Sequence, residues 1–351
     1  MRDVAILSYA QTPYVASERQ RNEVEMLIPV LSEAVEKSGI PRKEIGFTCS
    51  GSTDYLAGQS FSFVAAVDAL GAWPPIQESH VEMDGAWALY EAWVKIQCGD
   101  ADSALIFSFG RSSMGDLPEV LTLQLDPYTL QPLHPDAISV AALQARALLD
   151  AGKGSERAWA EIAARSRRDA LENPDALVRG EVDPESLLAE PYRVAPLREH
   201  ACAPITDGAA AMVIAADDLA RRAGEKPVWI RGIDHRLDPH QPGVRDLTAA
   251  PSAKLAAEKA GAGRGGIDVA ELHAPFAPQE EILRAALGLG SDVRINPSGG
   301  PLAAHAMMVA GLARVGEAAR QIQAGRAGRA LAHATQGPCL QQNLVCILEA
   351  E

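Results

Sequence analysis

The sequence predicts an α/β protein assembled from two related halves, and three observations carry the prediction. The chain repeats itself: "IQCGDADSAL" (Ile96 to Leu105) and "IQAGRAGRAL" (Ile322 to Leu331) share the pattern I-Q-x-G-x-A-x-x-A-L, 226 positions apart. At the same offset Gly85 falls on Gly311, and the helical "AWALYEAWVK" falls on the helical "LARVGEAARQ". Strand-like and helix-like stretches alternate through each half, which implies a mostly parallel sheet with helices on its faces.

Taken in order, "DVAILSY" reads as a first strand and resembles "PVWIRGI" at 227–233. "EIGFTCSG" is the next strand and resembles "DVAELHAP" at 268–275. In "ESHVEMDGAWALYEAWVKIQCG" (78–99) a β-like run, Ser79 to Met83, gives way to a helix, with Glu82 and Asp84 at the junction. The first half is closed by "CAPITDGAAAMVIAA" (202–216), a turn and a tightly packed Ala-rich strand. These similarities divide the chain into 1–222 and 223–351. The first half comprises 1–115, a return segment near 190–222, and a polar, Pro-bearing insertion at 116–190. The insertion carries the amphipathic helix "SERAWAEIAARSRRDALE" and is too long for a linker; insertions of that length line or cap sites. "GAGRGG" (Gly261 to Gly266) fits G-x-G-x-x-G, yet follows a helix and precedes a strand. A dinucleotide fingerprint needs the opposite order, so this stretch reads as a helix C-cap and loop.

The bulk numbers bound the function classes. A length of 351 residues buries a full core, and 47% hydrophobic content suits a globular protein. No apolar run approaches the roughly 20 residues of a membrane span. "MRDVAILSYAQTP" lacks the charged and apolar regions of a signal peptide. A net charge of −14 argues against nucleic acid or an anionic membrane as a bulk partner. Five scattered cysteines without C-x-x-C argue against a zinc site and a disulfide framework, so no metal is expected and the expected compartment is the reducing cytoplasm.

Three segments hold the candidate chemistry. "ELHAPFAPQEE" (271–281) ends a strand at His273 before a helix near Pro278. In open α/β sheets that end of a strand faces the ligand crevice. "INPSGGPLAAHAMMVAGLAR" (295–314) is a Gly/Pro turn followed by a small-residue helix bearing His305. "HATQGPCLQQNLVCILEAE" places Cys339 in the turn before the last strand. In this order, on duplicated halves, the segments resemble the thiolase superfamily over essentially the whole chain. "ELHAPFAPQE" resembles the H-D-x-F motif of sterol carrier protein X type thiolases. "NPSGGPLAAHAMMVAG" resembles the segment that carries the family's general-base histidine, here His305. "ITDGAAAMVI" resembles the family's S-D-G-A-A-A strand. The branch is that of actinobacterial lipid-transfer proteins and ketoacyl-CoA thiolases of sterol side-chain degradation.

The resemblance implies a thiolase fold: two βαβαβαββ halves in five α-β-α-β-α layers, with the insertion as a loop domain. It also exposes departures. Anchored on Gly85, Ala88, Leu89 and Ile96–Gln97, the family's acylated cysteine falls on Glu82, and a carboxylate is a far weaker nucleophile towards thioesters. The second cysteine falls near Gly337, two positions from Cys339, and the proline of G-H-P is Ala306. A retro-aldol cleavage needs only a base and an oxyanion hole, which His273 supplies as donor and His305 or a desolvated Glu82 as base. Aldolases of the branch place tyrosines at the cleavage site; here that position holds His273. The first expectation is therefore a β-hydroxyacyl-CoA retro-aldolase. The alternatives are a degenerate subunit of a thiolase-like heteromer, or an acyltransferase using Cys339. Coenzyme A enters as part of the substrate, with no tightly bound cofactor. Arg146, Lys153, Arg165, Arg167 and Arg168 are the candidates for its phosphates. By resemblance the partners are a second thiolase-like chain, in a homodimer or heterodimer, and a zinc-ribbon/OB-fold protein. Trp87, Tyr90 and Trp93 could face that protein, or the core.

Overall fold

The computed structural model describes residues 2–71, 75–223 and 226–351. The first half runs β1 (Val4–Gln11), α1 (Glu23–Ser38), β2 (Phe47–Gly51), α2 (Ser62–Leu70), β3 (Gln77–Val81), α3 (Gly85–Gln97) and β4 (Ser103–Gly110). Two helices of the insertion follow, α4 (Ala137–Asp150) and α5 (Glu156–Asp169), and β5 (Gly208–Ala216) returns to the sheet. The second half runs β6 (Val228–Leu237), α6 (Pro251–Ala260), β7 (Val269–Leu272), α7 (Ala277–Leu287), β8 (Arg294–Ile295), α8 (Ala310–Gln323), β9 (Arg329–Gln336) and β10 (Gln342–Glu349).

The ten strands lie in the order β8-β7-β9-β10-β6-β1-β5-β4-β2-β3. Each half thus reads third, second, fourth, fifth, first, and the two first strands join antiparallel through Ala5 opposite Trp229. The sheet is mixed, which corrects the mostly parallel expectation. Helical crossovers make β2/β3, β2/β4, β7/β8 and β7/β9 parallel. The last strand of each half inserts between its first and fourth strands and runs the other way, so every pairing it makes is antiparallel.

Strand periodicity sorts side chains into layers. On β4, Ala104 and Ile106 face α3 and α8, while Leu105 and Phe107 face α1 and α2. On β9, Ala330 and Ala332 face the same central helices, while Leu331 faces the outer layer of α4 to α7. Helices α3 and α8 therefore form the middle of a five-layered stack. They fit there because their contact faces are small: a Cβ on Gly85 would lie 2.6 Å from Ser108 Oγ. Ser155 caps α5, the amphipathic helix expected in the insertion, and Asp136 caps α4, which the sequence analysis did not identify. Gly261 ends α6 in the left-handed conformation, so "GAGRGG" is the expected C-cap and loop. No helix of the described residues is long and apolar enough to cross a membrane.

Candidate active site

His273 follows the last residue of β7. Its backbone N–H donates to His333 O on β9 (3.2 Å), and Leu272 N–H donates to Asn296 Oδ1 (2.5 Å). The loop after β8 carries Asn296, Gly299 and Gly300 in left-handed conformations. It is pinned from below: Glu271 accepts from Ser298 N–H (3.0 Å) and Oγ–H (2.8 Å), and Arg314 Nη1 reaches Glu271 and Ser298 Oγ, both at 2.6 Å. Glu271 and Arg314 are buried, and a buried ion pair of this kind holds only because its members are paired and hydrogen-bonded. The loop delivers His305 into a two-residue strand, His305–Ala306, beside Ile205–Thr206, and not onto the expected helix, which begins only at Ala310.

These constraints bring the two imidazoles together, His273 Nε2 lying 3.0 Å from His305 Nε2. Thr335 N–H donates to His273 Nδ1 (3.3 Å), so that nitrogen is unprotonated and the His273 proton sits on Nε2. His305 Nε2 is then the acceptor, and its Nδ1 is buried without a partner. Burial pushes His305 down to about 4, helped by the Arg314 charge. Burial, His305, His333 and Arg314 hold His273 well below the usual histidine range. Both rings are neutral at pH 7, one a donor and the other a free base.

Glu82, His273, His305 and Cys339 all line one cavity of about 1090 Å³. The insertion supplies an apolar wall from Leu117, Leu121, Leu125, Ile138 and Val140. Cys339 is held as a buried thiol. It is 5% exposed, its Sγ–H donates to Val140 O at 3.6 Å, and burial, partly offset by Arg245, raises the thiol to about 11. Cys202, the other thiol on the wall, is buried too, and burial raises it to about 12. Glu82 is not the N-cap of α3; Asp84 is, accepting from Ala86 N–H (2.8 Å). Nor is Glu82 desolvated in this chain, since half of its side chain is exposed. Among the described residues no cluster is placed to hold a metal ion.

The expected phosphate ligands do not reach this cavity. Arg146 pairs with Asp150 (2.5 Å) and Lys153 donates to Thr248 Oγ1 (2.8 Å), both on the outer surface. Arg165 pairs with Glu280 (2.6 Å) and Arg168 with Asp169 (3.4 Å), and Arg167 is likewise absent from the walls. Acids on the same or a neighbouring helix engage these arginines first, and helix periodicity alone does not reveal that competition. The arginine on the wall is Arg193, paired with Glu199 (3.0 Å). Sequence reasoning missed it because it lies in a short strand, Tyr192–Val194, of no evident pattern. Trp87 is buried against the core, and Tyr90 meets His235 edge-on at 4.7 Å, so this face of α3 packs inward.

No family profile matches the chain. It is 27% identical to an acetyl-CoA acetyltransferase of Methanocaldococcus jannaschii over 90% of its own length and 89% of that protein. It is 25% identical to human sterol carrier protein 2 over 94% of its own length and 67% of that protein. The benzoylsuccinyl-CoA thiolase subunit BbsB of Thauera aromatica is 26% identical, across 52% of this chain and 56% of that subunit. The chain is thus similar to thiolases and to sterol carrier protein 2, in two of these cases over nine-tenths or more of its length. Solved structures agree on the thiolase fold: an Ltp2–ChsH2 aldolase superposes with a TM-score of 0.83 at 19% identity, covering 99% of this chain and 98% of that one. The Bacillus anthracis acetyl-CoA acetyltransferase superposes with a TM-score of 0.81 at 17% identity, covering 100% and 99%. Within the thiolase fold, this chain keeps a histidine pair at the cavity and carries Glu82 and Gly337 where the resemblance places cysteines.

Proposed function

We propose that this chain is an acyl-CoA carbon–carbon lyase, a retro-aldolase on β-hydroxyacyl-CoA esters. The observation that carries the reading is the neutral His273–His305 pair, facing a large cavity whose cysteines, Cys202 and Cys339, are buried, protonated thiols. On substrate binding His273 Nε2–H exchanges His305 Nε2 for the thioester oxygen, which frees His305 Nε2 to accept the proton of the β-hydroxyl. The Cα–Cβ electron pair passes to the thioester as an enolate while the β-carbon becomes a carbonyl. A proton at Cα then completes the acyl-CoA. The apolar wall and the volume of the cavity suit a bulky acyl group such as a sterol side chain, with coenzyme A serving only as part of the substrate.

The test is product analysis by HPLC. A bulky β-hydroxyacyl-CoA should give an acyl-CoA plus a ketone, whereas the matching β-ketoacyl-CoA with free CoA should give no thiolysis. Thiolysis in the second reaction would overturn the reading and place Cys339 in the chemistry. A second reading, a non-catalytic member of a heteromer, is favoured by one observation: the relative BbsB is itself named a subunit. We place the chain in a dimer, with itself or a second thiolase-like chain, alongside a small zinc-ribbon/OB-fold protein. The solved aldolase of the same fold likewise joins two named components, Ltp2 and ChsH2. Turnover that needs a partner and survives His273→Ala and His305→Ala would favour the second reading.

A further inference from the structure

Ser50, His80 and Glu82 form one hydrogen-bonded file at the edge of the sheet. Ser50 Oγ lies 2.9 Å from His80 Nδ1, and His80 Nε2 lies 3.2 Å from Glu82 Oε2. The other carboxylate oxygen, Oε1, accepts Asp54 N–H at 2.6 Å. Phe63 stacks on the imidazole, with ring centroids 4.5 Å apart and planes at 12°. Ser50 is buried opposite His80 in the β2/β3 ladder, while Glu82 stands on the cavity wall with His273 and His305. The α3 turn does not need this file, because Asp84 supplies the cap.

We propose that Glu82 is the catalytic group that moves the Cα proton of the acyl-CoA, with His80 and Ser50 as its positioning and proton-sharing partners. The proposal rests on the acyl-CoA reading above. When the Cα–Cβ bond breaks, the electron pair left on the enolate forms a new bond from Cα to hydrogen. That hydrogen starts on the His80 imidazolium at Nε2, crosses to Glu82 Oε2 and passes from there to Cα, leaving Glu82 a carboxylate and His80 neutral, and water then reprotonates His80. His305 releases the hydroxyl proton to water as the ketone leaves, so no net proton is consumed. Ser50 suits this role because a hydroxyl donates to neutral Nδ1 and accepts from the protonated ring. The acidic groups beside His80 are Glu82 and Asp54, and the Asp54 carboxyl is held below its usual range first by the Ser62 N–H.

The test is α-hydrogen exchange in D2O, followed by mass spectrometry on a bulky saturated acyl-CoA that lacks a β-hydroxyl. The wild-type chain, with any copurifying subunit, should exchange. Glu82→Gln keeps the acceptor for Asp54 N–H but should slow exchange about a hundredfold or more. His80→Gln should slow it about tenfold and flatten its pH dependence, with unchanged melting temperatures in both variants. A wild-type enzyme that exchanges nothing, or a Glu82→Gln variant within a few-fold of wild type, overturns the proposal. Glu82-dependent exchange without cleavage of the β-hydroxy ester would sink the lyase reading and leave this one standing. Cleavage with Glu82-independent exchange would do the reverse.

Discussion

Asp84 accepts the backbone N–H of Gly311 at 2.8 Å, so one carboxylate caps two helices whose equivalent glycines, Gly85 and Gly311, stand 226 positions apart. It takes Leu312 N–H at 3.0 Å and Ala86 N–H at 2.8 Å as well, satisfying donors of α8 and α3 together. Gly85 N–H returns a bond to Met308 O at 2.8 Å, which ties the segment after His305 to the same joint.

Losing that joint is costly in a pH-dependent way. Asp84→Ala leaves both helices uncapped and should destabilise by about 2–4 kcal/mol, one cap being worth about 1–2. Burial raises the Asp84 carboxyl from 3.8 to about 6, partly countered by its three N–H donors. A carboxyl raised on folding favours the protonated native state, so its contribution is complete below pH 3.8 and is lost as pH rises through about 6. The loss is roughly 3 kcal/mol at about 1.4 kcal/mol per unit. Asn at this position does not titrate, so the melting temperature of wild type measured against Asp84→Asn should fall between pH 4 and pH 7. An unchanged gap would refute this.

The histidine pair sets an acid limit on catalysis. The active His305 is neutral, and with a value of about 4 it stays neutral throughout the mildly acidic range. Cleavage measured as kcat/KM should hold from pH 7 down to about 5, then fall. A midpoint near the ordinary histidine value of about 6.5 would contradict the burial account. His273→Ala and His305→Ala should each cost about 10²–10³ in rate.

Cysteine chemistry offers a cheap contrast. Cys98 is the exposed thiol and the other four are buried, so limited iodoacetamide should label Cys98 first. Cys339→Ser should change lyase turnover by no more than about twofold, since its thiol is protonated and inert. Loss of activity in that variant would restore the acyltransferase alternative.

Arg193 is the arginine of the cavity wall, so Arg193→Ala should raise KM for a CoA ester several-fold and leave kcat unchanged. Arg146→Ala and Arg165→Ala should move neither, because those side chains lie off the cavity. A KM effect at Arg165 larger than at Arg193 would invert this assignment.

The duplication, the pairing of Gly85 with Gly311, and the strand-end position of His273 were legible in the sequence, whereas His305 read as part of a helix and lies in a short strand ahead of it. Local periodicity, small-residue contacts and turn chemistry all depend on neighbours in the chain. Which of Glu82 and Asp84 caps α3 was not legible, because two acids two positions apart at a strand-to-helix junction look alike until the helix N-terminus takes one. Arg193 and α4 were overlooked as well, because no repeat or motif marks them.

By itself the sequence determined that this chain is two copies of one α/β pattern, with His273 where a strand ends and His305 after a Gly/Pro turn. Only the tertiary structure decided what those residues are chemically. Burial around His273 and His305 makes both neutral, and the Thr335 N–H selects the donor ring. The apolar wall keeps the Cys339 thiol protonated, and the partner half supplies the N–H groups that hold Asp84. Charge state and tautomer depend on desolvation and on donors hundreds of residues away, which no local pattern encodes.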